Sequence, residues 1–503
     1  MHLRPQFGVG FVAALVFGFV LLSSNAALAT TTHWVNDDDP NGPPYAPPGT
    51  SCNDPGYQTI GAAVAAAATS GDTIIVCPGL YAEQVTITKT LTLLGAKAGV
   101  DARTRAFVLA DESIIDHPCG PVQIEADKVV LNGFTIQGST LPDPCFLAGI
   151  WSNPGFSGTQ GGHQILNNIV QNNISGIELD STCVNPTLVQ FNLIQNNNNP
   201  GPGSGNGVQT NFGLCNGTID SNKFSGHVNT SVLLVATQSN IAISNNELVG
   251  GTSERIVLAN TTMSSITGNV SIGSTSSGTV RLFGGDSNIT INSNTLFNGV
   301  RGIRVDDPFG VGINSGIVAN FNCIQGNSIA GLQVDAGGHS GTLNAKNNWW
   351  GSASGPMHPS NPGGTGDKII DPDNNVNFVP FLTTCAAFTP GMVTGGGQVN
   401  VTGGKGSFGF NAKQGSSAGS GHLNYMNHVT GAHLDCTVTA ITEFTPTTAK
   451  FSGTCSPNSS AANFTAAVED HGEPGKGNDK FMIMYGVTSE GGTLISGNIQ
   501  IHK

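Results

Sequence analysis

A four-residue pattern recurs along the middle of this chain, and it constrains the fold more than any other feature. It reads Ile150-Trp151-Ser152-Asn153, Ile177-Glu178-Leu179-Asp180, Val208-Gln209-Thr210-Asn211 and Val232-Leu233-Leu234-Val235. It continues as Ile256-Val257-Leu258-Ala259, Val280-Arg281-Leu282-Phe283, Ile303-Arg304-Val305-Asp306 and Leu332-Gln333-Val334-Asp335. Successive starts lie 27, 31, 24, 24, 24, 23 and 29 residues apart. A column of asparagines runs in phase: Asn168, Asn192, Asn222, Asn246, Asn269, Asn294, Asn322 and Asn348. A period of this length is that of stacked repeats, in which each unit buries its apolar face only against its neighbours. The units alternate and hold no helical pattern between them, so each is a coil of short strands. The array is expected to be a parallel β-helix.

Residues 1–29 read as a signal peptide. Arg4 gives a charged start, Phe7 to Leu22 is apolar, and Ala27-Leu28-Ala29 is a small-x-small cleavage site. The run is short for a membrane anchor, and no later stretch is apolar enough to span a bilayer. The expected location is extracellular or periplasmic. Ten cysteines suit that oxidising compartment. The sequence leaves their pairing open. Cys436 and Cys455 are the only two beyond residue 385 and are expected to pair. Cys52 with Cys77, Cys119 with Cys145 and Cys183 with Cys215 are near neighbours along the chain. No C-x-x-C pair is present, which argues against a zinc site. Charged residues make up only 10% and the net charge is −13, which argues against nucleic acid as a partner.

The expected organisation has five parts. After the signal peptide, residues 30–56 form a Pro/Gly/Asp-rich lead-in. Residues 57–384 form the β-helix, opened by an Ala-rich helix over 59–70 that covers the first coil. It is closed by Asn347-Asn348-Trp349-Trp350-Gly351 and a tail that folds back over the stack. Residues 385–392 are a linker. Residues 393–503 alternate with turn residues between runs and are expected as a β-sandwich-like accessory domain.

Two stretches resemble a known family. Asp72-Thr73-Ile74-Ile75-Val76-Cys77-Pro78-Gly79-Leu80-Tyr81-Ala82-Glu83, followed by Ile87 to Gly95, resembles the opening of right-handed parallel β-helix proteins of the pectin-lyase-like superfamily. Asn347 to Pro356 is similar to the closing motif of secreted bacterial members. The resemblance spans about residues 57–382 and implies the fold. It does not imply one chemistry, because the superfamily holds lyases, hydrolases, esterases and adhesins. Gly79-Leu80-Tyr81-Ala82-Glu83 matches the opening G-x-Y-x-E of pectin methylesterases, but that family's later Asp and Arg motifs have no counterpart. Asp306-Asp307 is similar to the paired Asp of polygalacturonases, without the following Gly-His-Gly or Arg-Ile-Lys. Asp116-His117 is similar to a pectate-lyase motif but lies too early. No catalytic role is carried over.

Alternate residues of a strand point to opposite faces. The first and third positions of the pattern therefore point inward, and the second and fourth form outward ladders about 4.8 Å per step. One ladder runs Trp151, Glu178, Gln209, Leu233, Val257, Arg281, Arg304, Gln333. The other runs Asn153, Asp180, Asn211, Val235, Ala259, Phe283, Asp306, Asp335. The asparagine column is expected to be structural, since stacked amides bond from coil to coil. Two polar clusters are candidate sites. Arg281 and Arg304, with Asp306, Asp307 and Asp335, place two guanidinium groups where they can clamp uronate carboxylates. These five are also the candidate catalytic set. Asp306 and Asp335, one coil apart, are candidate ligands for Ca²⁺. Glu178 and Asp180 stand about 6.6 Å apart along a strand, a spacing suited to an inverting carboxylate pair. Trp151 beside them suits stacking on a sugar ring. The plain alternative for both clusters is polar decoration of a solvated face. In the C-terminal part, Asp470, His471, Glu473 and Asp479 are read as a polar hairpin loop rather than a metal site.

Three functions follow as expectations. The chain binds extracellular polysaccharide through its ladder face; or it is a polysaccharide lyase or glycoside hydrolase acting on uronate-containing glycans; or it is a structural or adhesive cell-surface protein. The missing motifs favour the first and third, and the Arg/Asp cluster favours the first two.

Overall fold

The structure is a computed structural model. It describes residues 30–38, 42–68, 70–105, 107–141, 145, 147–152, 158, 160–273, 277–385, 392–413, 420–444 and 447–502. The signal-peptide reading of residues 1–29, Asn153 of the ladder and most of the linker lie outside these residues.

The repeat folds as a parallel β-helix of three sheets. Each coil visits them in turn: Gln164–Leu166 lies in the first, Ile169–Gln171 in the second and Ser175–Leu179 in the third. The next coil repeats this with Thr187–Gln190, Leu193–Gln195 and Val208–Gln209, each paired in parallel with its predecessor. The third sheet carries the four-residue pattern in register, for example Val257↔Arg281↔Arg304↔Gln333. Ile150, Ile177, Val208, Val232, Ile256, Val280, Ile303 and Leu332 are all buried in one continuous core.

The asparagine column sits at the corner between the first and second sheets, where it hydrogen-bonds as expected. Asn246 shows the unit. Its Nδ2 donates to Ile219 O (2.9 Å) and to Asn269 Oδ1 (2.9 Å), while its Oδ1 accepts from Asn222 N (2.9 Å). Other asparagines turn the corners by adopting positive φ, among them Asn167, Asn196 and Asn245, a conformation that Asn tolerates better than most residues.

The helix spans Ile60–Ala66, with Thr59 Oγ1 accepting from Ala62 N. Its Ile60, Ala63 and Val64 enter the core. Before it, Thr32–Val35 pairs in parallel with the strand Ser70–Val76, so part of the lead-in extends the first sheet. At the other end, Trp350 is fully buried and Phe378 nearly so. The five disulfides join Cys52–Cys77, Cys119–Cys145, Cys183–Cys215, Cys323–Cys385 and Cys436–Cys455. They are the mark of a chain that folds in an oxidising, extracellular or periplasmic environment. No helix among the described residues is long and apolar enough to cross a membrane.

The C-terminal strands form one closed antiparallel barrel of eight strands, from Met392–Val401 to Thr488–His502, rather than the expected two-sheet sandwich. The seam is where Met392–Val401 pairs with Thr488–His502. Glycines allow it: Gly397 faces Gly497, and a Cβ on Gly497 would lie 2.0 Å from Gly396 O. The interior is filled by Phe408, Phe410, Tyr425, Phe451, Phe464 and Phe481, with the rings of Phe408 and Phe481 stacked at 3.9 Å.

Candidate functional site

On the outward face of the third sheet, four adjacent coils bring a cluster together. Asp306 lies at its centre, fully buried. Arg281 grips it with Nε and Nη2 at 3.0 and 2.6 Å. Arg304 Nη2 stands 3.1 Å from the same carboxylate and donates to Asp335 Oδ2 at 2.8 Å. Arg281 Nη1 reaches Glu254 Oε1 at 3.3 Å. Arg301 joins from the strand edge, its Nε donating to Gln333 Oε1 and its Nη1 to Ser277 O at 3.0 Å. Burial, then the neighbouring Arg304 charge, holds Arg301 below its ordinary value. Burial pushes the Asp335 carboxyl up, but the hydrogen bonds from Arg304 and Gln333 and the charges of Arg304 and Arg301 outweigh it. Asp335 ends below the usual carboxylate range.

The flank of this cluster is aromatic. The Arg281 guanidinium lies 4.2 Å over the Phe283 ring, within cation–π range. Phe309, 77% exposed, packs against Phe283 at 5.3 Å between ring centres. The loop that carries Phe309 is tied by Asp307, whose two oxygens accept from Val311 N (2.7 Å) and Gly312 N (3.2 Å). Asp307 thus serves its own loop, and the structure does not bring it to the guanidinium groups. The two carboxylates of the expected Ca²⁺ pair, Asp306 and Asp335, are joined through an arginine. Arg304 bridges Asp306 and Asp335, so guanidinium groups occupy the positions a cation would take. Among the described residues no group of three or more His, Cys, Asp or Glu side chains is placed to hold a metal ion.

The second cluster lies deeper than its outward register suggests. Trp151 Nε1 donates to Glu178 Oε1 (3.0 Å), and Gln209 Nε2 and Asn211 Nδ2 also donate to that carboxylate (3.2 Å each). Asn206 bonds Gln209 in turn (2.8 Å). Trp151 and Glu178 are each 5% exposed, and Asp180 is fully buried. Asp180 Oδ1 accepts from three successive backbone N–H groups, those of Asn211, Phe212 and Gly213, at 2.9 Å each. Burial pushes both carboxyls above their ordinary values, against the pull of these hydrogen bonds. Asp180 therefore fastens the turn that follows the next coil. The apolar stretch between the clusters is covered at Val257 and Ala259 and half-covered at Leu233, Val235 and Phe283.

Sequence reasoning missed Arg301, Glu254 and Phe309. Glu254 and Arg301 each stand two residues ahead of the four-residue pattern, so that register position was readable. In the barrel, Asp470 and Asp479 accept backbone N–H groups of Ile501 (2.8 Å), His471 (2.9 Å) and Ile499 (2.8 Å). These carboxylates fasten the loop to the last strand of the barrel.

The architecture is therefore a three-sheet parallel β-helix that carries a polar cluster on one sheet and is followed by a separate β-barrel domain. No family model matches the chain, and no curated protein matches it. Among solved structures it is similar to a pectate lyase at 12% identity, over 72% of this chain and 82% of that one, with a TM-score of 0.36. It is similar to tailspike protein 2 of the Escherichia coli O157:H7 bacteriophage CAB120 at 9% identity, over 87% and 70%, with a TM-score of 0.33. A mannuronan C-5 epimerase A-module from Azotobacter vinelandii shares 14% identity over 65% and 94%, with a TM-score of 0.35.

Proposed function

We propose that this chain is a secreted protein that binds acidic extracellular polysaccharide at the Arg281–Arg301–Arg304 cluster, without strong catalysis. One observation supports this reading above others: every carboxylate of the cluster is already held by a guanidinium group. A lyase needs a free base poised to take a proton. Asp335, the most exposed of these acids, is held below the usual range by Arg304 and Gln333, which makes it a poor proton acceptor. The guanidinium groups of Arg281 and Arg304 stay partly exposed, and such planar donors suit carboxylate recognition. Phe309 beside them offers an apolar face to a sugar ring.

The test is incubation of the protein with pectins, alginates and neutral glycans, with and without Ca²⁺. Retained protein, unsaturated products and new reducing ends are followed together. The expected result is retention on uronate-containing glycans with no products. The double substitution Arg304→Ala with Asp306→Ala removes one charge of each sign and leaves Arg281 paired to Glu254. It is expected to abolish retention while the chain stays folded by circular dichroism. Unchanged retention in that variant overturns the site. Product formation by the parent protein replaces binding with the lyase or hydrolase reading.

A further inference from the structure

The corner between the second and third sheets carries its own ladder, and the ladder breaks at a buried cation. Asn173 Nδ2 donates to Ile136 O (3.2 Å) and Asn197 Oδ1 (3.0 Å), and Asn197 Nδ2 donates to Val170 O (3.0 Å). One coil on, His227 takes the place, its Nε2 bonding Ile194 O at 3.1 Å. At the following coil the register falls on Gly251, which has φ +81° and no side chain to offer. The guanidinium of Arg255 fills the space: a Cβ on Gly251 would lie 3.0 Å from Arg255 Nη1.

Arg255 is 2% exposed. Its Nη2 donates to Gly273 O at 2.6 Å, and its Nε is buried without a partner. Among the described residues no carboxylate forms an ion pair with it. Glu254, next in the chain, turns to Arg281 instead. Thr279, whose backbone oxygen accepts from Arg255 N at 3.1 Å, has a buried hydroxyl that also lacks a partner. Burial lowers the Arg255 guanidinium only to about 10, so it stays charged at neutral pH. Burial lowers His227 to about 4, so the imidazole is neutral there. A buried charge without a counter-charge is among the most destabilising features a core can hold. Water satisfies a hydrogen bond but neutralises nothing.

We propose that Arg255 is the receptor for a small inorganic anion of halide size, held inside the coil stack at the corner between the second and third sheets. A polymer or a large oxyanion is excluded by the burial of the side chain. The site stands independently of the polysaccharide reading.

The experiment is a melting series of the full protein in chloride, with gluconate replacing it at constant ionic strength. The melting temperature is expected to climb by about 1–2 °C per tenfold rise in chloride, by ligand linkage. Arg255→Met keeps the stem and removes the charge, and its melting temperature is expected to ignore chloride. Crystals soaked in bromide are expected to show an anomalous peak beside Arg255. That second readout needs no variant. A parent protein blind to chloride, the same chloride response in Arg255→Met, or no bromide peak at Arg255 overturns the proposal.

Discussion

Asp286 shows how much one atom matters in this fold. It stands in a third corner ladder, between the third and first sheets, where Gln238 and Asn314 hold the same role. Leu214 N donates to Gln238 Oε1 (2.6 Å), Thr261 N to Asp286 Oδ1 (2.9 Å) and Asp286 N to Asn314 Oδ1 (3.1 Å). Where its neighbours are amides, Asp286 is a fully buried acid whose Oδ2 has no partner. Burial pushes its carboxyl up to about 7, against the hydrogen bonds from Thr261. The sign follows from linkage. The folded value exceeds the unfolded one, so the native state holds the proton more tightly. Stability therefore falls as pH rises from the unfolded value through about 7. Asp286→Asn puts an amide where amides already work. Relative to the parent, it is expected to gain about 2–3 kcal/mol between pH 5 and pH 8. Urea unfolding across that range checks this, and parallel curves for the two proteins sink it.

At the scale of the element, the asparagine ladder acts as a seam. Asn246→Ala removes its bonds to Ile219 O, Asn269 Oδ1 and the amides of Asn222. Losing this buried set is expected to cost about 3–4 kcal/mol in chemical unfolding. In a solenoid, coils are coupled mainly to their neighbours. Hydrogen exchange is therefore expected to speed up at the Asn222 and Asn269 corners and not at Asn348; uniform loss of protection along the stack contradicts this. The ladder was legible because one residue type recurs with the period. The other two ladders use the same geometry with mixed residues: Asn197, His227 and Gly251 in one, Gln238, Asp286 and Asn314 in the other. Spacing without identity left no signal. The inward apolar positions were legible for the same reason as the asparagines. The burial of Glu178 and Asp180 was not, because groups that bond them, such as Gln209, Asn211 and the 211–213 backbone, come from the next coil. Barrel and sandwich strands alternate identically. Only pairing between the first and last strands separates them, and periodicity carries no information about it.

At the scale of the whole molecule, two cores do not share a residue. The coil stack buries one continuous cluster from Val35 to Phe378. The barrel buries another, from Val393 to Ile499, around its stacked aromatics. Closure leaves the barrel no open sheet edge, and Cys436–Cys455 staples two adjacent strands across a separation of 19 residues. A unit with its own core and no unpaired edges has what it needs to fold alone. Residues 392–502 produced by themselves are expected to give a β-type far-ultraviolet spectrum and dispersed amide resonances. The full chain is expected to unfold in two calorimetric steps. Reducing Cys436–Cys455 in the fragment is expected to lower its stability by about 3 kcal/mol, mainly by freeing the unfolded chain. An unstructured fragment, together with a single transition in the full chain, would show that the barrel depends on the coil stack. The two cores would then fold as one unit despite their separation.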